Sequence, residues 1–415
     1  MRIPPVAYAG VALLLACNPA LGRAVAFSAA VQAAPVAARA PQPPCLSEQA
    51  AEELLSSASS LLEQGRFDEA AQLLQSKLQQ RCDYRVDLLL AAAMEAKNDI
   101  ADAERTLEKA NALWPENCSV AASLARYELG EGKAGAAKRA VSRCVPTRST
   151  SGRELRLIAT VYLENEEPVR AERAALLAWK AEPSEENLLL LANVLQLQGR
   201  YMDVVSLLDK QRPNYGESAP YLITAAESES DGKLYAAAQR DLEKAISLAP
   251  DSYPAHYVLG NLLVTTGHVS EGIEQYKKAI ELSPQQPRTY YQIGRGLEQQ
   301  GNTAEARTYL QQTLSIDAHY APAWCEIGKM ELRANHLQPA VDDLNHAIQD
   351  NPALQESYYL LVQAYARMGE RDKSRAMMTQ WDAYRKAHPL RPVTADPAHI
   401  DAASGASPAA GSTGP

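Results

Sequence analysis

YPAHYVLGNLLVTTGHVSEGIEQYKKAIELSP, residues 253–284, reads as two short amphipathic helices joined by a turn. The chain then runs through nearly the same pattern again, and once more after that: Gly260, Gly294 and Gly328 stand 34 positions apart, each behind an apolar residue, Leu259, Ile293 or Ile327. A fixed period of this length belongs to arrays of helix-turn-helix units. The residue types have steric reasons. A small residue in the first helix (Gly260, Gly294, Gly328) and one in the second (Gly272, Ala306, Ala340) let two helix backbones approach closely, while larger residues fill the flanking holes. Pro254 and Pro322 fall in the first turn of their helices, where a missing N–H costs nothing. Pro284 and Pro352 end the second helix and turn the chain into the next unit.

Within the quoted unit the spacing is His256-x2-Leu259-Gly260-x2-Leu263, then Gly272-x3-Tyr276, Ala279 and Pro284. Two units on, Trp324-x2-Ile327-Gly328 is followed by Ala340-x3-Leu344, Ala347 and Pro352. On these residues the sequence resembles the tetratricopeptide repeat (TPR) family. The resemblance implies an all-α fold, a right-handed superhelical solenoid of about ten helix-turn-helix units. Clear copies lie upstream at Ala225-Ala226 with Ala238, Leu242, Ala245 and Pro250, at Ile158-Ala159 with Ala171, Ala175, Ala178 and Pro183, and at Leu90-Ala91 with Ala103, Leu107, Ala110 and Pro115. Units beginning near Ala51, Cys118 and Glu185 are degenerate but keep the phase, and a last one begins near Gln355. The array is expected over residues 49–388, its final helix, Arg371 to Lys386, capping the stack with a polar face.

Composition agrees. A hydrophobic content of 46% with only two Phe and abundant Ala and Leu describes a helical array better than an α/β enzyme. Residues 1–17 read as a signal peptide, because Val6 to Ala16 is apolar, follows one basic residue and is too short to span a bilayer. Leu14-Leu15-Ala16-Cys17 looks like a bacterial lipobox, making Cys17 a lipidation site; the competing reading is a plain secretory signal cut at Ala24-Val25-Ala26 or near Ala34. Either way the chain is expected to be exported, to the periplasm, to a membrane by its lipid, or outside the cell. Residues 18–48 form an Ala/Pro-rich linker, and 389–415, rich in Ala, Gly, Ser and Pro, a disordered tail.

An exported protein meets an oxidising compartment, which permits disulfides. Cys118 opens a first helix and Cys144 lies near the end of its partner, and in an antiparallel hairpin those ends are neighbours. Cys45 and Cys82 bracket the first unit similarly, and Cys325 stands alone. The plainer reading is that these are small apolar fillers.

Gly130-Glu131-Gly132-Lys133-Ala134-Gly135 is formally a dinucleotide fingerprint, but it falls between two helices with no strand before it. The seven His show no metal spacing, no P-loop, nucleophile elbow or CxxC occurs, and no non-repeat stretch is long enough for a catalytic domain. We therefore expect no enzyme activity, no cofactor and no metal. A formal charge of −9 argues against nucleic acid as a general partner, and membrane contact is expected only through the lipid.

What remains is binding. TPR resemblance implies a protein or peptide partner, taken in the concave groove by first-helix residues at the second, fifth, ninth, twelfth and thirteenth places of each unit. In the four C-terminal units those places hold Tyr257, Asn261, Arg288, Tyr291, Arg295, Lys329, Arg333, Tyr359, Gln363 and Arg367, with Glu298 and Glu356 as the chief acidic neighbours. Such a set suits an extended peptide carrying acidic side chains or a free C-terminus. It does not reproduce the Lys and Asn arrangement of the chaperone-type carboxylate clamp, of which Asn261 is the one partial echo. The competing account has the tyrosines packing between units and the basic residues forming a solvated face. The alternative function is a structural component of an envelope secretion, pilus or outer-membrane machine, contacting through the convex face.

Overall fold

The computed structural model describes residues 45–77 and 83–388, and from Leu46 onward these belong to one unit. The signal segment, Cys17, the linker up to residue 44, Cys82 and the tail from 389 lie outside the described residues. Among the described residues there are twenty helices and no strand. They form ten hairpins. The first five are α1 (Glu48–Glu63) with α2 (Phe67–Gln75), α3 (Tyr84–Ala96) with α4 (Ile100–Leu113), α5 (Cys118–Gly130) with α6 (Ala134–Val141), α7 (Gly152–Glu164) with α8 (Pro168–Ala181), and α9 (Glu185–Leu197) with α10 (Tyr201–Tyr215). The second five are α11 (Ala219–Asp231) with α12 (Tyr235–Leu248), α13 (Tyr253–Thr265) with α14 (Val269–Leu282), α15 (Pro287–Gln299) with α16 (Thr303–Ile316), α17 (Ala321–Arg333) with α18 (Leu337–Asp350), and α19 (Gln355–Arg367) with α20 (Arg371–Ala387).

Local signals explain where the helices begin and turn. Ser47, Asn117, Ser151, Ser184 and Ser252 cap first helices by accepting from backbone N–H groups that have no partner in the first turn. Glu154 completes a capping box with Ser151. Every hairpin turn holds one residue at positive φ: Gly65, Asn98, Gly132, Glu166, Gly199, Lys233, Gly267, Gly301, Asn335 and Gly369. These turns run in step with the repeat, and the second glycine of the G-x-G-x-x-G string, Gly132, is simply one of them.

The core lies between the two helices of each hairpin and between successive hairpins. Ala103, Ala171, Ala238, Ala306 and Ala340 are fully buried where second helices cross first ones. At α13/α14 both crossing residues are glycines: a β-carbon on Gly260 would lie 3.1 Å from the carbonyl oxygen of Gly272, and one on Gly272 would lie 3.0 Å from that of Gly260. His256, standing where the template carries an aromatic, is buried with Nε2 2.9 Å from the Pro250 carbonyl and Nδ1 2.8 Å from Gln275 Oε1. Trp324, two units later, donates its Nε1–H to the carbonyl six residues before it, Ala318, at 2.9 Å. At the far end Trp381 is the one buried residue of α20, tilted against Tyr358 at 5.3 Å, and the other positions of that helix are half-buried or exposed.

First helices of neighbouring hairpins touch from α1·α3 through α11·α13, and again at α15·α17 and α17·α19, while consecutive second helices make no comparable contact. The described array is therefore narrower on its first-helix side, which is the concave one.

The cysteines depart from expectation. Cys118 and Cys144 are both free thiols, so the expected disulfide is not formed in this structure. The two are nonetheless neighbours: α6 is only 8 residues long, the chain beyond it returns so that Val145 N–H donates to the Glu116 carbonyl at 2.9 Å, and Cys144 packs on the core that contains Cys118. Cys118 is buried and Cys144 half-buried. Cys45 is disulfide-bonded, to a cysteine outside the described residues, and Cys325 is a free buried thiol pushed up to about 12 by burial.

Candidate functional site

The concave face of the C-terminal units is built outward from Tyr276, a fully buried second-helix residue whose ring fills the space beside Gly260. Its hydroxyl donates to Asn261 Oδ1 at 2.7 Å, which spends that groove amide on an internal bond. Tyr257 leans on Tyr276 with centroids 5.8 Å apart, and Tyr253, the first residue of α13, stacks on Tyr257 at 5.8 Å. Across the α13/α15 joint Arg288 closes the group. Its guanidinium lies 4.4 Å from the Tyr257 ring centroid and 5.6 Å from that of Tyr253, within cation–π range. Its Nε donates to the Tyr253 hydroxyl at 3.1 Å, and that hydroxyl shares a 2.8 Å bond with Thr289 Oγ1.

One turn further along α15, Tyr291 meets Tyr320 with centroids 5.4 Å apart, and Arg295 lies 5.8 Å from the Tyr291 ring centroid. Burial pushes the hydroxyls of Tyr276, Tyr291 and Tyr320 above the ordinary phenol range, so these rings stay neutral. Beyond them the cations are paired. Lys329 Nζ sits 3.4 Å from Glu326 and 2.9 Å from Glu356, Arg295 Nε is 3.9 Å from Glu326, and Arg333 pairs with Glu298. Arg367 donates to the Leu332 carbonyl at 2.8 Å, and the exposed Tyr359 accepts from Gln355 at 2.9 Å. Gln363 is exposed on the same helix.

The structure thus gathers Tyr257, Arg288 and Tyr291 into one aromatic-basic cluster and links Arg295 with Lys329 through a shared carboxylate. Tyr359, Gln363 and Arg367 stand apart in the last unit. The tyrosines pack between units and most of the cations have carboxylate partners, as the competing account has it. The groove is less positive than the sequence suggested, because Glu326 was missed as the acid between Arg295 and Lys329. Tyr253, Thr289 and Tyr320 were also missed, as residues at helix starts rather than at the usual groove places.

A second concave cleft, about 660 Å³, opens between α3, α5 and α7 and is lined by Glu95, Arg126, Arg153, Arg156, Leu157 and Thr160 among others. Arg126 grips Glu95 with two bonds of 2.9 and 2.7 Å, and Tyr127 donates to the same carboxylate at 2.7 Å, holding it below the usual carboxylate range. Arg126, Arg153, Arg156 and Thr160 occupy the same repeat places that identified the C-terminal set, so the signal that finds them was present in the weaker units as well.

Residues 260–301 match a family model described as TPR repeat, and residues 287–320 and 58–76 match two described as tetratricopeptide repeat. No curated protein matches the sequence. Among solved structures, the chain is similar to that of the APC/C hetero-tetramer Cut9-Hcn1 at 14% identity, covering 83% of this chain and 88% of that one with a TM-score of 0.39. It is similar to MamA at 19% identity, covering 39% and 95% with a TM-score of 0.36. It is also similar to YrrB, described as a TPR protein with an unusual peptide-binding site, at 20% identity, covering 44% and 93% with a TM-score of 0.35. With the repeat interval, the ten left-handed turns and the three family matches in agreement, the chain carries tetratricopeptide repeats.

Proposed function

We propose that this chain is a non-enzymatic protein–protein interaction scaffold of the cell envelope that takes a peptide or protein segment in the concave groove of its repeat array. The observation that carries the reading is the face between α13 and α17 on which half-buried tyrosines carry exposed arginines, rings and guanidinium standing side by side. Rings offer contact area at low entropic cost, and the guanidinium supplies direction. Export rests on the apolar Val6–Ala16 segment and the Cys17 context of the sequence alone.

Site-specific photo-crosslinking tests the groove. A photoreactive residue placed at Gln292 or Gln363, on first helices, should trap the partner recovered by affinity capture, while one placed at Gln239 or Lys278, on second helices, should not. Crosslinks confined to Gln239 and Lys278 would replace the groove reading with that of an assembly component contacting through its convex face.

A further inference from the structure

Arg288 differs from its neighbours along the concave face. Arg85, Arg126, Arg156, Arg295, Lys329 and Arg333 all have carboxylate partners. Arg288 is exposed, and its contacts among the described residues are the Tyr253 and Tyr257 rings and the single Nε bond to the Tyr253 hydroxyl. A guanidinium seated on a ring with Nε already engaged has its orientation fixed, and its two terminal nitrogens are left as donors. That is the arrangement that receives a carboxylate in two parallel hydrogen bonds.

The geometry points to Arg288, with Tyr253 and Tyr257 as its cradle, as the subsite for an aspartate or glutamate side chain of an extended peptide crossing the groove between α13 and α15. This deepens the groove reading and rests on it. Tyr291 and Tyr320 continue the aromatic surface beyond Arg288 and Asn261 continues it along α13, so the cradle lies in mid-groove and suits an internal side chain rather than a chain end.

Fluorescence anisotropy on the purified chain with decameric Ala/Ser peptides tests the assignment. Each labelled peptide carries one central Glu, Gln or Ala, flanked by Tyr or Leu, with the C-terminus amidated or free. We expect the Glu peptides to bind at least about five-fold tighter than the Gln peptides, consistent with one charge-assisted bond pair on a solvent-facing groove. Arg288→Gln should remove that preference while the chain stays folded, and Arg288→Lys should restore only part of it. Equal binding of Glu and Gln peptides, or a preference that survives Arg288→Gln, overturns the subsite while leaving the groove reading intact. Binding that follows the free C-terminus rather than the central Glu overturns the commitment to a side chain. If no peptide binds and crosslinks map to the second helices, both readings fall together.

Discussion

A β-carbon on Gly260 would stand 2.5 Å from Cε1 of Tyr276, the ring on the facing helix that also holds the groove residue Asn261. Contacts that short do not occur, so Gly260→Ala must push α13 from α14 or displace the ring. We expect a loss of about 1–3 kcal/mol, the usual range for overpacking a filled core. Gly130→Ala, at the end of α5 with nothing within 4 Å of the new atom, is the matched control and should be neutral or gain up to about 1 kcal/mol from helix propensity. Urea titrations of the two variants decide the matter, and equal effects would remove the close crossing as the cause.

Two of the left-handed turn positions carry side chains poorly suited to them, Glu166 at φ 57° and Lys233 at φ 64°. Both are outside the core and neither side chain has a described ion pair or hydrogen bond. Replacing Lys233 by Gly should raise stability by up to about 1 kcal/mol, the relief of the left-handed penalty less the greater freedom glycine has when unfolded. A lower melting temperature for Lys233→Gly would show that the turn depends on the lysine.

Glu229 is buried between Asp241, Asp209, Arg240 and Arg212, and burial with the Asp241 charge pushes it up to about 7 against Arg212, which lies 3.5 Å away. The folded chain therefore holds this proton more tightly than the unfolded chain, whose carboxyl sits at its ordinary value of 4.5. Stability from this group is full below about 4.5 and is lost as pH rises through about 7. Glu229→Gln, which stays neutral, should be more stable than the parent at pH 8 by on the order of 1–2 kcal/mol, and the two should converge at pH 4. A difference that is the same at both pH values rules out the buried charge as its source.

The closeness of the two sulfurs pushes the Cys118 thiol far above its ordinary range and holds that of Cys144 below it. Cys144, half-buried where Cys118 is buried, is the thiol that meets an oxidant first. With a small-molecule disulfide as oxidant its thiolate attacks one sulfur and releases one thiol. Cys118 then loses its proton, displaces the second thiol and closes the intramolecular bond, so two thiols leave for each bond formed. Intact mass should fall by the two hydrogens lost, and alkylation without reduction should then miss both residues. Trapped mixed disulfide on Cys144 with no closure would show that the pair cannot reach bonding geometry.

Much of the fold was legible because its determinants are local and recur. The 34-residue interval, the small residues at helix crossings and six of the ten turn residues are visible one unit at a time. Asn98 and Asn335 are readable with care, since asparagine tolerates the left-handed region, whereas Glu166 and Lys233 hold it only because the hairpins on either side demand it. The groove was legible by place but not by pairing. The Glu326–Lys329 pair lies three residues apart on one helix and could have been read, but knowing that Arg295 faces inward does not reveal that it reaches Glu326, because that contact joins different units and depends on their separation. The same limit hid Tyr253 and Tyr320, which join the site across joints between units.

The side-chain bridge between α13 and α15 has a mechanical meaning. A stack of hairpins is a set of springs in series, and every bond across a joint stiffens it. Tyr253, Tyr257, Arg288 and Thr289 tie these two first helices together while α14 and α15 pack behind them. Anything gripping both Arg288 and the α13 tyrosines would act as a strut across that joint, stiffening the array against force applied along it.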